Sequence, residues 1–218
     1  MNKRIVYLPG LAADELLFEE LQKYINGIVP KWPQHDNEDD LKSYALKCVK
    51  SWNINEDDIL IGFSFGGMIA KEIRDIVPSK KKSNLFLISS CRNKRSLDQK
   101  FINRSKYLKY IPNFILYFLA VHVGPQFTAR TDKEKVFLPI LKTMAKTTSI
   151  DFLKWATEAS GSWQNEREVE LIQIHGEYDQ VIPSPPNQPD HIILNAGHLI
   201  CYTHAKEIFE IFKEYHNE

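Results

Sequence analysis

The sequence contains few cysteines: Cys48, Cys91 and Cys201 are the only three among 218 residues, and they lie far apart. An odd, sparse set without a Cys-x-x-Cys pair excludes a disulfide framework and a cysteine zinc site. The sequence also lacks an HExxH metal motif and a phosphate-binding loop, because Gly66-Gly67 is not followed by Lys and then Ser or Thr. We therefore expect a reducing compartment, no metal and no cofactor.

The chain also lacks an excess of charge of either sign. Lys and Arg together number 28, as do Asp and Glu, so nothing general favours binding to nucleic acid or to an acidic membrane. The longest apolar run, 114–123, is interrupted by His122 and is shorter than the roughly 20 residues that cross a bilayer. The N-terminal apolar run is too short for a signal peptide. We expect a soluble, cytoplasmic protein without stable membrane insertion.

The composition that remains is typical of a folded α/β domain. Hydrophobic residues make up 43% of the chain and charged residues 26%, which predicts one domain with an insertion. Short apolar runs predict about six strands, at 4–8, 27–32, 58–63, 85–89, 169–174 and 191–194. Helical patterns between them predict a mostly parallel sheet with helices on both faces, whose chemistry lies at the carboxyl ends of the strands. A proline-rich stretch at 183–189 predicts a stiff exposed loop.

The pattern changes between residues 92 and 166, where no strand signal occurs. Apolar periodicity there predicts four helices, at 99–109, 112–123, 131–146 and 149–158. We predict a core of residues 1–91 and 167–218 and a helical cap insertion of residues 92–166. Several apolar side chains of this insertion either line a substrate pocket or pack the cap onto the core. They are Phe114, Ile115, Tyr117, Phe118, Leu119, Trp155 and Trp163.

The strongest motif is GFSFG at residues 62–66, which matches the GxSxG pattern. A strand predicted at 58–63 precedes it and a helix follows, so a sharp turn would lift the Ser64 hydroxyl above the sheet. Glycines on both sides allow neighbouring backbone to approach closely. The helix N-terminus favours developing negative charge. Ser64 is therefore the candidate nucleophile.

A serine hydroxyl is a weak nucleophile unless a base lies within hydrogen-bond reach. Of the seven histidines, His198 alone lies in a glycine-containing loop after the last predicted strand, with the chain order that this chemistry requires. Asp179 follows the preceding strand and would orient the imidazole, while Glu177 is a competing acid. His175, at the end of that strand, is predicted to be structural.

Ester chemistry at Ser64 also requires an oxyanion hole, which is formed by backbone N–H groups. We expect one donor from Phe65, directly after the nucleophile. The other is expected from Leu11, in the loop after the first strand, since Pro9 has no N–H to donate.

Taken together, these motifs resemble the α/β-hydrolase superfamily over almost the whole chain: LPGL at 8–11, GFSFGG at 62–67, HGEYDQVIP at 175–183 and AGHL at 196–199. The chain looks most like small capped carboxylesterases and the methyl esterase that acts on pimeloyl-acyl-carrier protein. The family's usual His-Gly is Pro-Gly here, at 9–10, which removes no donor because the hole uses backbone. The resemblance implies a catalytic triad and oxyanion-hole donors: Ser64, Asp179 and His198, with Leu11 and Phe65.

These parts predict hydrolysis of a small-molecule carboxylic ester through an acyl-enzyme on Ser64. A thioesterase uses the same parts, and a non-catalytic member that binds a small molecule or protein is the alternative from another class. Between Arg92 and Lys109, seven basic residues are opposed only by Asp98. This pattern is typical of a solvated helix face, or of a docking surface for an acidic partner such as acyl-carrier protein.

Overall fold

A parallel sheet of five strands forms the centre of the structure, a computed structural model that describes residues 3–183 and 189–216. Along the sheet, the strands follow their order in the chain: β1 (Ile5–Leu8), β2 (Ile59–Phe63), β3 (Leu85–Ile88), β4 (Ile172–Gly176) and β5 (His191–Ile193). This confirms the predicted fold class. Most of the loop predicted at 183–189 lies outside the described residues.

The stretch at 27–32, predicted as a sixth strand, forms a single bridge to β1 instead. The Ile28 N–H donates to the Ile5 carbonyl at 2.9 Å, and the Ile28 carbonyl accepts from the Tyr7 N–H at 2.8 Å. In a parallel ladder the next donor on this stretch would come from Pro30, which has no N–H. The pairing therefore ends after one residue. The sheet has five strands among the described residues, where the sequence predicts about six.

Two buried apolar clusters cover the two faces of the sheet. Successive residues of β2 point to opposite faces, so Leu60 packs in one cluster and Ile59 and Ile61 in the other. The first cluster is formed with α2 (Leu41–Trp52) and α3 (Phe65–Ile76), and the second with elements near both chain ends. Those elements are α1 (Glu19–Gln22), α10 (Ile200–Thr203) and α11 (Ala205–His216).

Residues 92–166, all of which the structure describes, contain helices and no strand. The helices are α4 (Gln99–Ser105), α5 (Asn113–Phe118), α6 (Gly124–Thr128), α7 (Asp132–Lys135), α8 (Leu138–Thr147) and α9 (Ile150–Gly161). A helix predicted at 131–146 is divided into α7 and α8 because Pro139 lacks an N–H and its ring clashes with the carbonyl four residues earlier. Within the part of the chain that the structure describes, no helix is both long and apolar enough to cross a membrane.

The apolar residues of this segment divide into two groups. Trp155 and Trp163 pack on the core, and the Trp155 indole N–H donates to the Asp39 carbonyl at 2.8 Å. The packing alternative is therefore right for both tryptophans. The five apolar residues of α5 and the π-helical turn after it are 36–75% exposed, which argues against the packing alternative, and none of them lines either of the two cavities that reach Ser64. They are Phe114, Ile115, Tyr117, Phe118 and Leu119.

Candidate active site

Ser64 lies at the sharp turn between the carboxyl end of β2 and the first residue of α3. Its backbone has φ 52° and ψ −120°, a conformation that is strained for any residue with a Cβ. The turn is held by two hydrogen bonds, from the Ser64 N–H to the Ile88 carbonyl at 3.0 Å and from the Ser90 Oγ to the Ser64 carbonyl at 2.6 Å. Strain of this kind persists only where the surroundings enforce it, and it is concentrated at functional sites.

Glycines next to the turn allow the backbones of three elements to touch. A Cβ built on Gly66 would lie 2.1 Å from the Leu8 carbonyl oxygen, and one built on Gly62 would lie 2.5 Å from the Gly67 Cα. Both obstacles are backbone atoms, which cannot rotate away. The turn therefore depends on the absence of side chains at these positions.

We expect Gly66→Ala to destabilise the protein by at least roughly 1–3 kcal/mol, because β1 or α3 must shift to make room for the methyl group. Gly124→Ala is the matched control, since its Cβ would meet the Leu119 carbonyl oxygen at 3.6 Å, an ordinary van der Waals distance. In a helix this change should leave stability unchanged or raise it by up to about 1 kcal/mol. Urea unfolding measures both, and similar losses for the two variants would contradict the expectation.

Both predicted oxyanion donors lie beside Ser64. Phe65 is the first residue of α3, so its N–H has no acceptor within the helix. The loop after β1 lies against the turn, because a Cβ built on Gly10 would be 3.2 Å from the Ser64 Cβ. Leu11, the next residue of that loop, lines the same cavities as Ser64. The arrangement is compatible with two N–H groups directed at one oxygen.

His198 and Asp179 form a buried hydrogen-bonded pair. The His198 Nδ1 lies 2.8 Å from the Asp179 Oδ2, and both side chains are at most 3% exposed. The other carboxylate oxygen accepts the N–H groups of Val181 at 2.9 Å and Ile182 at 3.0 Å. The Ser89 Oγ donates to the His198 carbonyl at 2.9 Å and so fixes the histidine loop to the end of β3.

The Asp179 carboxylate remains ionised in spite of its burial. Burial alone would raise its pKa, but the nearby charge of His198 and hydrogen bonds from His175 and His198 outweigh that effect. The net result is a pKa well below the ordinary value of a carboxyl group. At neutral pH the carboxylate is thus able to stabilise a positive charge on the imidazole.

Glu177 and His175, the other two ionisable residues considered at this end of β4, have different surroundings. The Glu177 Oε2 accepts the Asn195 N–H at 2.9 Å, and the side chain is exposed. The His175 Nε2 lies 2.6 Å from the Ile182 carbonyl oxygen, and the residue is fully buried. The structure therefore brings Asp179, and not Glu177, into contact with His198.

Ser64 and His198 line one cavity of about 230 Å³. A second cavity of about 250 Å³ also reaches Ser64 and is lined mainly by apolar side chains, including Phe101 and Phe127 of the helical segment. Among the described residues, no hydrogen bond joins the Ser64 hydroxyl to His198. The three side chains are thus gathered at one place, with the serine and histidine not yet hydrogen-bonded.

Glu134 is a residue that the sequence analysis missed. This fully buried side chain of α7 accepts the Leu199 N–H at 2.8 Å, directly after His198, and the N–H groups of Arg130 and Thr131 at 3.0 and 2.9 Å. It leaves no room for a side chain at Gly197, since a Cβ there would lie 2.4 Å from its carboxylate. The Thr-x-x-Glu pattern at 131–134 indicates a helix start. No sequence signal connects Glu134 with the histidine loop.

We expect Glu134→Gln to destabilise the protein by roughly 1–3 kcal/mol, because an amide cannot accept on both sides as the carboxylate does. If the loop carries the base, turnover should also fall. Asp132→Asn, on the same helix but 97% exposed, is the matched control and should leave the unfolding midpoint unchanged. Thermal unfolding measures both variants, and a Glu134→Gln midpoint equal to that of the control would contradict the expectation.

The basic residues between 92 and 109 are partly neutralised by acids that are distant in the sequence. Arg92 pairs with Asp190, while Lys94 and Arg95 lie 2.6 and 2.9 Å from the Glu166 carboxylate. The positive charge is therefore smaller than the local sequence suggests. Four basic residues of this stretch are exposed and have no carboxylate within 4.0 Å among the described residues: Lys100, Arg104, Lys106 and Lys109.

Among the residues that the structure describes, neither a metal site nor a cysteine nucleophile is indicated. No three His, Cys, Asp or Glu side chains come together as metal ligands within residues 3–183 and 189–216. The three cysteines are buried, and burial raises the pKa of the Cys91 thiol to about 12. A thiol with such a pKa is not a thiolate at neutral pH. Ser64 therefore stays the candidate nucleophile.

Solved structures with a similar fold cover nearly the whole chain. An esterase from Thermogutta terrifontis is 11% identical, with a TM-score of 0.69 over 100% of this chain and 90% of its own. An esterase from Exiguobacterium antarcticum is 15% identical, with a TM-score of 0.65 over 100% and 92%. The α/β-hydrolase MGS-M2, from a Medee basin deep-sea metagenome, is 13% identical, with a TM-score of 0.70 over 99% and 90%.

These likenesses confirm the fold that the sequence motifs predicted. At such low identity they concern the fold alone, and the similarity to a pimeloyl-acyl-carrier-protein methyl esterase stays a prediction. No protein-family model matches the sequence, and no curated protein matches it significantly.

Proposed function

We propose that this chain, which has the α/β-hydrolase fold, is a serine hydrolase that cleaves a carboxylic ester through an acyl-enzyme on Ser64. One observation carries the proposal: the buried Asp179–His198 pair opens onto the cavity that holds Ser64 at its strained turn. The fold shared with proteins named esterases supports the same reaction class.

In the proposed reaction, His198 Nε2 takes the proton of the Ser64 hydroxyl while Oγ bonds to the carbonyl carbon of the ester. The N–H groups of Phe65 and Leu11 hold the negative oxygen of the tetrahedral intermediate. His198 then gives its proton to the leaving alcohol as the carbon–oxygen bond breaks. Water repeats the sequence on the acyl-enzyme, which releases the acid and restores Ser64.

Substrate binding would have to form the hydrogen bond between Ser64 and His198, as is common when such sites pass from the free to the bound state. Asp179 would fix the tautomer of His198 through Nδ1 and stabilise its charged form. Its low pKa suits this role, since the carboxylate stays ionised while the imidazole gains and loses a proton.

The two cavities that meet at Ser64 would hold the two halves of the substrate. Apolar walls in the larger cavity, including Phe101 and Phe127, suit an acyl chain. Residues 92–166 would act as a cap, because they contribute side chains to both cavities and so exclude water from the reacting atoms.

A fluorophosphonate probe tests the proposal, because it reacts with an activated serine whatever the natural substrate. Peptide mass spectrometry should find the label on Ser64, and prior denaturation should abolish labelling. A folded protein that remains unlabelled would contradict the proposal and favour the non-catalytic alternative. Esters and thioesters with the same acyl group would then separate an esterase from a thioesterase, since both use the same side chains.

A carrier-linked ester would be a larger substrate of the same site, and the four exposed basic residues of 100–109 favour an acidic carrier. Charge reversal by Arg104→Glu with Lys106→Glu should then lower kcat/KM for carrier-linked esters at least about tenfold, with little effect on small esters. Parallel assays on both substrates measure the difference. Equal effects on the two would contradict docking of an acidic carrier.

A further inference from the structure

The helical segment carries a row of exposed apolar side chains that we call the apolar stripe: Phe114, Phe118, Val123 and Phe127. They are 75%, 57%, 48% and 49% exposed. From residue 110 to residue 129 the sequence contains no Asp, Glu, Lys or Arg. Water-exposed surface of this composition is unusual and commonly marks an interaction site.

A π-helical turn at Leu119–Val123 keeps the stripe on one side of the segment. Pro125 has no N–H, and the Gly124 N–H reaches back five residues to the Leu119 carbonyl. Successive residues of the stripe are accordingly four, five and four positions apart in the sequence. The side chains on the opposite side are five, four and four positions apart and are buried: Leu116, Val121, Pro125 and Ala129.

Cations lie at both ends of the stripe. The Lys109 ammonium is 5.3 Å from the centre of the Tyr110 ring, and the Arg130 guanidinium is 4.8 Å from the centre of the Phe127 ring. Three more exposed basic residues precede them, and none of the three has a carboxylate within 4.0 Å among the described residues. They are Lys100, Arg104 and Lys106.

We propose that the apolar stripe and these cations adsorb to the surface of an anionic phospholipid bilayer. Aromatic and aliphatic side chains with flanking lysines and arginines are what a helix needs to lie in the plane of such an interface. Adsorption without insertion fits a segment too short to cross the bilayer. A second copy of the chain fits less well, because pairing two stripes would bring like charges together at both ends.

The proposal goes beyond ester hydrolysis and does not depend on it. Phe127 belongs both to the stripe and to the wall of the larger cavity at Ser64. Adsorption would therefore place the mouth of that cavity against the lipid. Ser64→Ala should bind vesicles like the unmodified protein, so failure of the catalytic proposal and failure of this one are distinguishable.

Co-sedimentation with vesicles of phosphatidylcholine, with or without phosphatidylglycerol, tests adsorption. We expect binding to the anionic vesicles only. Phe114→Ser with Phe118→Ser should weaken it at least about tenfold, and Lys106→Gln or Lys109→Gln about fivefold each. The matched controls Leu46→Ser and Leu194→Ser replace exposed leucines outside the segment, 41% and 68% exposed, and should bind normally.

Unfolding midpoints should be similar for all these variants, because the replaced side chains are exposed. Three outcomes would overturn the proposal. One is absence of binding to anionic vesicles. In another, the lysine variants lose binding while the Phe114→Ser, Phe118→Ser variant keeps it. That result would indicate an acidic partner. The third is a concentration-dependent dimer that this apolar variant abolishes, which assigns the stripe to a second copy.

Discussion

Replacing Ser64 with alanine should lower kcat for an ester substrate by about 10⁴- to 10⁶-fold. The variant keeps the cavities and the backbone donors but has no Oγ to form the acyl-enzyme. Only the rate that binding and the oxyanion hole provide would remain. Steady-state hydrolysis of a chromogenic ester measures the loss, with mass spectrometry to look for the acyl adduct.

The matched control for this experiment is Ser162→Ala, which removes an exposed serine hydroxyl at the end of α9 and should leave kcat unchanged. Unfolding midpoints of both variants should stay close to that of the unmodified protein. Ester hydrolysis that survives in Ser64→Ala would mean that the activity belongs to another group, and the acyl-enzyme mechanism would be abandoned.

Asp179→Asn should lower kcat about 10⁴-fold while Ser64 and His198 stay in place. The amide would no longer stabilise the charged imidazole, and its NH₂ group could face Nδ1 and favour the wrong tautomer. Glu177→Gln is the matched control: it changes the competing acid two residues away, which contacts the Asn195 N–H and not the histidine. An equal loss in the two variants would show that Asp179 has no special role.

Because the pKa of Asp179 is lowered in the folded protein, its contribution to the free energy of unfolding decreases as the pH falls. An unfolded aspartate titrates near pH 3.9, whereas the folded carboxylate has a lower pKa. Ionisation therefore stabilises the fold above about pH 4, and this contribution is lost as the pH falls toward the folded pKa. The gap in unfolding free energy between the unmodified protein and Asp179→Asn should narrow from pH 6 to pH 3, as urea unfolding would reveal.

The sequence was sufficient where the structure depends on local patterns. GFSFG at 62–66 predicts the turn because the strand, the glycines and the helix are all adjacent in the chain. The same holds for the buried strands, whose apolar runs are continuous. The stretch at 27–32 has the apolar residues of a strand, but Pro30 lacks the N–H that would continue the ladder with β1, so the apolar pattern alone predicts a strand that does not form.

Contacts between distant parts of the chain could not be predicted. Glu134 accepts a hydrogen bond from Leu199, which is 65 residues away in the sequence. Neither stretch contains a sequence signal that predicts this contact. In the same way, Asp190 and Glu166 neutralise basic residues that stand almost unopposed in the local sequence. The motifs indicate which residue types the chemistry needs. Which charged residues form ion pairs depends on the tertiary structure, and the local sequence does not show it.

The hydrophobic periodicity of the sequence also does not predict that the apolar stripe is exposed. A helix that is apolar on nearly all sides has no pattern to indicate which side is covered. Only the packing of Leu116 and Val121 against their neighbours decides that Phe114 and Phe118 face outward.

The hydrogen bond between Glu134 and the Leu199 N–H has a mechanical consequence. Glu134 belongs to the helical segment that lines the two cavities at Ser64, while Leu199 directly follows His198, the proposed base. A motion that swung α7 away to admit a substrate would withdraw an acceptor from the loop that carries His198. If Ser64 and His198 are catalytic, opening the cavity in this way would disturb the position of His198, and the serine would be activated only while the cavity is closed to bulk water.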